Sequence, residues 1–331
     1  MQIRCGTRWL FPLLKGAAIG AVALVQGCSG GATPAQAPVR SFVLPSGAEA
    51  RFRQSARIPP SQHFPRHTRV ERDLFVSNDG NGVLVLKNKS YRRSGEITKG
   101  LNGADGLWVD VHGNLYVANY NGQNVTEYKR GSFVPSCTYS EGLADPIDVT
   151  TDKTGNVYVA NASIYSSYPG SIDEYPQCRN SVSKIYDVSG DPVGVAVDGQ
   201  GDVFVSYLVE SHGFFEEFKG GSVQGISLGA TVGFAGGLVL DKRSNLIAVD
   251  QDGSIVVIAP PYDRARLLVG GLSQPFHDAL NERENRLFAT DFASSTVSVF
   301  EYPSGRLITT LGSGNGIYGA AGVAESPNAV F

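Results

Sequence analysis

Residues 113–119 read Gly-Asn-Leu-Tyr-Val-Ala-Asn, and residues 155–161 read Gly-Asn-Val-Tyr-Val-Ala-Asn. Weaker copies stand at 201–207, 244–250 and 285–291, and a copy without its leading turn stands at 74–78. Each copy is a turn signal followed by a short β-rich run that ends in a polar residue. Gly, Asn and Asp suit the turn because they tolerate positive φ or bond the local backbone. The runs begin at Leu74, Leu115, Val157, Val203, Leu246 and Leu287, spaced 41, 42, 46, 43 and 41 residues apart. A period in the low forties made of short strands matches a four-stranded propeller blade of about 40–45 residues. A helical solenoid of that period needs a sustained apolar rhythm of roughly 3.6 residues, and the chain shows none.

Strands are assigned around the repeated one. Runs at 106–110, 147–152, 194–198 and 237–241 precede it and carry small residues that suit the crowded axis, so they are inner strands. Third strands are expected at 124–128, 171–175, 214–218, 254–258 and 296–302, and outer strands at positions such as 183–188 and 306–311. Six second strands predict an all-β, six-bladed β-propeller over residues 71–331. The first repeat lacks an inner strand, and 321–325 resembles one without a blade, so the C-terminus is expected to close the ring and remove open edges. A seventh blade is the alternative, with residues 328–331 starting one more strand.

The chain ahead of the repeats has a different character. Arg4, Arg8 and Lys15 precede an apolar run at 16–25, which is short for a spanning helix. The run ends in Val25-Gln26-Gly27-Cys28, which resembles a bacterial lipoprotein signal. The resemblance implies removal of residues 1–27, lipid attachment at Cys28 and membrane anchoring. With Ser29 next, it implies an exported cell-envelope lipoprotein of the outer membrane or facing the periplasm. Residues 28–70, rich in Gly, Ala, Pro, Gln and Arg, read as a flexible tether. Cys5 belongs to the signal, which leaves Cys137 and Cys178 either as a disulfide between adjacent repeats or as two separate thiols. The net charge of −3 gives no global field favouring nucleic acid.

Asp110-Val-His-Gly-Asn-Leu-Tyr-Val-Ala-Asn followed by Asn124-Val-Thr-Glu-Tyr, with the repeat from Asp152, resembles the NHL-repeat family over about residues 72–331. Related six-bladed propellers include the regucalcin and gluconolactonase group of metal-dependent lactonases. By that resemblance, ligands sit on the face formed by the second-to-third loops and the outer-to-inner connections. Ligand-face candidates are Tyr120, Asn121, Tyr165, Tyr168, His212, Asp252 and Phe292. The insertion at 162–170 makes the third blade the longest.

Two functions follow. The first is a non-enzymatic binding or assembly scaffold for protein or glycan at the cell envelope, with no catalytic residue and no cofactor. The second is a lactonase-like hydrolase using Ca2+ or another divalent metal. Its candidate ligands are Asp105, Asp145, Asp191, His277 and Asp278, because hard cations need oxygen donors converging from several blades. Asp148 and His277 stand at the small-residue position that Gly194 fills, which places them to face the channel. Asp145 and Asp191 precede Pro, a turn pairing, and the Glu of the lactonase first blade has no match. No nucleophile elbow or phosphate-binding loop is present.

Overall fold

A computed structural model describes residues 72–78, 81–162 and 170–327. The signal, Cys28, the tether, Tyr165, Tyr168 and residues 328–331 lie outside the described residues. Six antiparallel four-stranded sheets follow one another in order. Blade 2 shows the plan: inner strand Ala104–Val109, second Leu115–Asn119, third Asn124–Tyr128 and outer Cys137–Tyr139. Blades 3 to 6 repeat it over 145–187, 191–232, 235–270 and 275–311. Blade 1 is composite: Val323–Glu325 pairs with Asp73–Asn78 as its inner strand, so the ring closes through the C-terminus with six blades.

The repeated strand is buried on both faces because each blade is sandwiched between two others; Leu115–Asn119 is buried at every position. Among the described residues, seven apolar clusters carry the packing. One joins blades 6 and 1 through Phe288, Val299, Leu74 and Leu84, and another joins blades 2 and 3 through Tyr116, Tyr139, Val159 and Tyr175. Burying a side chain of this size contributes about 1.5–3 kcal/mol. Cys137 and Cys178 are bonded, with a Cα separation of 5.4 Å, and link the outer strand of blade 2 to blade 3.

The inner strands begin earlier than the small-residue runs predict. Asp145 opens the strand Asp145–Thr151 and Asp191 opens Asp191–Val197, rather than lying in loops. The cause is a register shift near the start of every inner strand of blades 2 to 6, as at Ala104/Leu107 and Pro275/Asp278. A bulge inserts unpaired residues and re-aims their side chains, which breaks the two-residue alternation used to read a strand. His212 is likewise in a strand, paired with Val209, so the loop before it is shorter than the sequence indicated.

Candidate functional site

The antiparallel order places the second-to-third loops and the outer-to-inner connections at one end of the ring. Backbone bonds join them: Tyr120 N–H donates to Gly103 O at 2.8 Å, Gln251 to Phe234 at 2.7 Å and Phe292 to Gln274 at 3.0 Å. The polar residue that ends each second strand ties this end together. Asn119 accepts from Asn102 N–H, Asn161 from Ala144 and Asp145, Asp250 from Phe234, Asp291 from Ser273 and Gln274, and Asn78 from Tyr318. Blade 4 has Tyr207 at that position, and there Glu216 of the third strand accepts from Ser189 instead.

Toward the axis the inner strands approach closely. A Cβ added to Gly237 would lie 2.7 Å from His277 Cδ2, and one added to Gly322 would lie 2.1 Å from the Asp105 carbonyl oxygen. Hydroxyls on three second strands staple neighbouring blades here: Ser77 donates to Asp105 O at 2.9 Å, Ser206 to Gly236 O at 2.6 Å and Thr290 to Ala321 O at 2.6 Å. No sequence signal other than Ser or Thr one residue before the last position of the repeated motif announces this role.

The bulges of blades 2, 3 and 6 gather Asp105, Asp148, His277 and Asp278 at the axis. His277 Nδ1 lies 3.2 Å from Ala321 O and 3.8 Å from Asp105 Oδ1, and Nε2 lies 3.8 Å from Asp148 Oδ1. A carbonyl oxygen only accepts, so the proton belongs on Nδ1 and Nε2 is left as an acceptor. Asp148 is held by Val149 N–H at 2.9 Å and Val195 N–H at 3.1 Å. Among the described residues, Asp105 Oδ1, His277 Nε2 and both Asp278 oxygens have no hydrogen-bond partner. His277 and Asp278 are 4% and 6% exposed.

This burial disfavours charge. It lowers the His277 pKa to about 4, with the Ala321 contact opposing, and raises Asp148 to about 7, with its two backbone donors opposing. Burial, then the Asp148 carboxylate, pushes Asp105 and Asp278 well above the usual carboxylate range. The group is thus a buried polar cluster in which Asp105 and Asp278 hold their protons to higher pH than usual and, among the described residues, no Lys or Arg forms an ion pair with it.

The other sequence candidates divide by exposure. Asp252, His212 and Phe292 are exposed at the loop end, whereas Asn121 is half-buried. Tyr120 packs beside Ile147, Ala162 and Val193, which makes it partly a core residue. Asp145 and Asp191 pair opposite Ala162 and Leu208 at the strand starts. Of the proposed ligands, Asp105, His277 and Asp278 come together and Asp148 joins them. Among the described residues, the group that brings three ligating atoms within 4.8 Å of one another is Glu127, Cys137 and Cys178, not the axial set. Two of those three are the disulfide sulfurs.

No protein-family model matches the chain, and no curated protein matches it in sequence. Solved structures do resemble it. A chain of a nidogen/laminin complex has a TM-score of 0.65 at 16% identity, covering 77% of this chain and 98% of that one. A gluconolactonase from Xanthomonas campestris gives 0.56 at 16% identity, covering 67% and 79%. A protein of unknown function from Bacteroides caccae gives 0.59 at 12%, covering 77% and 99%. These likenesses establish a propeller fold shared by a protein found in a protein–protein complex and by an enzyme.

Proposed function

We propose that the protein is a rigid propeller scaffold that binds another protein through its loop end, carried at the cell envelope by lipid on Cys28. The observation that carries the binding reading is the set of exposed apolar side chains on that end. Val209, Phe292 and Tyr318, from blades 4, 6 and the closing connection, are 42%, 41% and 57% exposed. Asp291 and Asn78 hold the segments of Phe292 and Tyr318, and Val209 is held in the strand ladder opposite His212, so these side chains are offered to a partner with little ordering left to lose. The nidogen/laminin likeness supports the same use of the fold.

The hydrolase reading has the axial acids and His277 in its favour. Against it, the axial set is not the group that brings three ligating atoms within 4.8 Å of one another among the described residues, and Thr290, the hydroxyl beside His277, is committed to backbone oxygens. A photo-crosslinking amino acid at position 292 in the full chain tests the proposal. Discrete protein adducts are expected from position 292 and none from position 133 at the opposite end. Equal adducts from both positions, or metal-dependent turnover of a lactone panel, would overturn it. Cys28→Ala is expected to release the protein from the membrane fraction.

A further inference from the structure

The charged residues of the propeller are sorted by end. Among the described residues, Lys99 is the single Lys or Arg in the second-to-third loops and outer-to-inner connections. The other Lys and Arg residues stand on the inner-to-second turns, on the third-to-outer loops and at the strand ends that adjoin them. Their ion pairs are there too, including Arg72 with Glu282 and Glu325, Lys129 with Glu127, and Lys242 with Glu284. The loop end instead presents Glu210 and Asp252 on exposed loops, with Asp105, Asp145, Asp191 and Asp278 at the starts of the inner strands. The modest net charge of the chain conceals this separation.

The second observation lies beneath those loops, where the deeply buried side chains of Asp278 and His277 carry polar atoms with no hydrogen-bond partner among the described residues and no basic residue answers them. Phe276 stands edge-on to His277 at 4.9 Å and tilts against exposed Phe292 at 6.4 Å, which gives the site an aromatic wall. An ammonium or guanidinium group donates in several directions at once and so suits polar atoms left without a partner. Aromatic faces add attraction for such a cation.

Resting on the reading of the loop end as a protein-binding face, we infer that its partner is a basic polypeptide segment, with one Lys or Arg side chain reaching the axial group of Asp105, Asp278 and His277. Acidic side chains facing solvent steer such a segment inward, and Val209, Phe292 and Tyr318 supply apolar contact that a free small cation leaves unused.

Binding of a fluorescent oligo-lysine peptide to the full chain, followed by anisotropy, tests this. The lysine peptide is expected to bind and an oligo-glutamate peptide not to, with affinity falling as salt rises from about 50 to about 200 mM. Glu210→Lys with Asp252→Lys is expected to weaken binding about tenfold, whereas Asp263→Lys with Glu301→Lys at the opposite end changes it less than about twofold. Asp105→Asn is expected to weaken it about threefold with the exposed loops intact, which reports on the axial group itself.

Equal loss from both charge-reversed pairs, or no preference for lysine over glutamate, would overturn the inference. So would displacement of the peptide by Ca2+ or spermidine at equal concentration, which would identify a small-cation site. Tighter peptide binding after Gln replaces Arg40, Arg51, Arg53, Arg57, Arg66 and Arg69 would identify the chain's own basic segment as the occupant and also overturn it. If position 292 still crosslinks to protein while the charge variants change nothing, the scaffold reading stands and the basic partner falls.

Discussion

At the turn end of the propeller, five turns are built alike. Asp110, Asp152, Asp198 and Asp241 each accept two backbone N–H bonds, from the residues two and four positions on, and Asn281 accepts from Asn285 and Arg286. Gly113, Gly155 and Gly201 take the positive φ the turn requires, and Ser244 and Glu284 adopt it at the same position without being glycine. At the loop end, five of six blades use an Asn or Asp to hold connections of unlike length and composition, and blade 4 uses Glu216. One end repeats residues to repeat a shape. The other repeats only a cap, so the loops above it differ from blade to blade. A sharp turn of fixed geometry admits few residues, whereas a cap that reads only backbone N–H groups admits any loop sequence.

The largest expected effect sits where the loop end meets the axis. Gly322→Ala puts a Cβ against the backbone oxygen of Asp105, which no side-chain rotation relieves. It is expected to lower stability by about 4 kcal/mol in denaturant titration. A loss below about 1 kcal/mol would show that the closing strand tolerates displacement, and that the axis is less rigid than the turns.

Next is the turn itself. Asp110→Ala removes an acceptor of bonds from His112 N, Asn114 N, Asn114 Nδ2 and Tyr116 Oη. It is expected to cost about 3 kcal/mol, against about 1–2 kcal/mol for Asn119→Ala at the other end. Equal costs would erase the contrast drawn between the ends.

The smallest effect has the opposite sign. Asp278 holds its proton to higher pH in the fold than in the unfolded chain, because burial and Asp148 disfavour its charge. Once the unfolded carboxyl has ionised and the folded one has not, stability falls as pH rises. Asp278→Asn removes that slope. It is expected to raise stability by about 1 kcal/mol at pH 8, with the gain vanishing toward about pH 4, as followed by melting temperature across pH. His277 contributes a slope of opposite sign between about pH 4 and its ordinary value near 6.5, which the substitution leaves in place. A gain independent of pH would mean that the Asp278 carboxylate is already paired.

Much of the blade was legible because each strand announces itself locally: Leu115–Asn119 and Val157–Ala162 stand where the repeat places them, and Val323–Glu325 closes the ring from the far end of the chain. The site was legible in part. Asp105 and Asp278 could be named because they lie near inner-strand entries, where a metal site would draw its carboxylates, and His277 because it stands at a position another blade fills with Gly194. Their convergence could not be read, since it depends on bulges at Ala104/Leu107 and Pro275/Asp278 that leave no local mark. Nor could the stapling role of Ser77, Ser206 and Thr290, whose partners lie a blade away.

By itself, the sequence determined the period and the strand order, and left six or seven blades for the structure to decide. Period and order follow from turn chemistry and alternating burial, which act over a handful of neighbouring residues. Tertiary structure alone decided that Asp105, Asp148, His277 and Asp278 come together at the axis, and that nearly every cation lies at the end away from the loops above them. Both depend on the direction in which each strand runs and on the closure of the ring, which bring together side chains up to 173 residues apart.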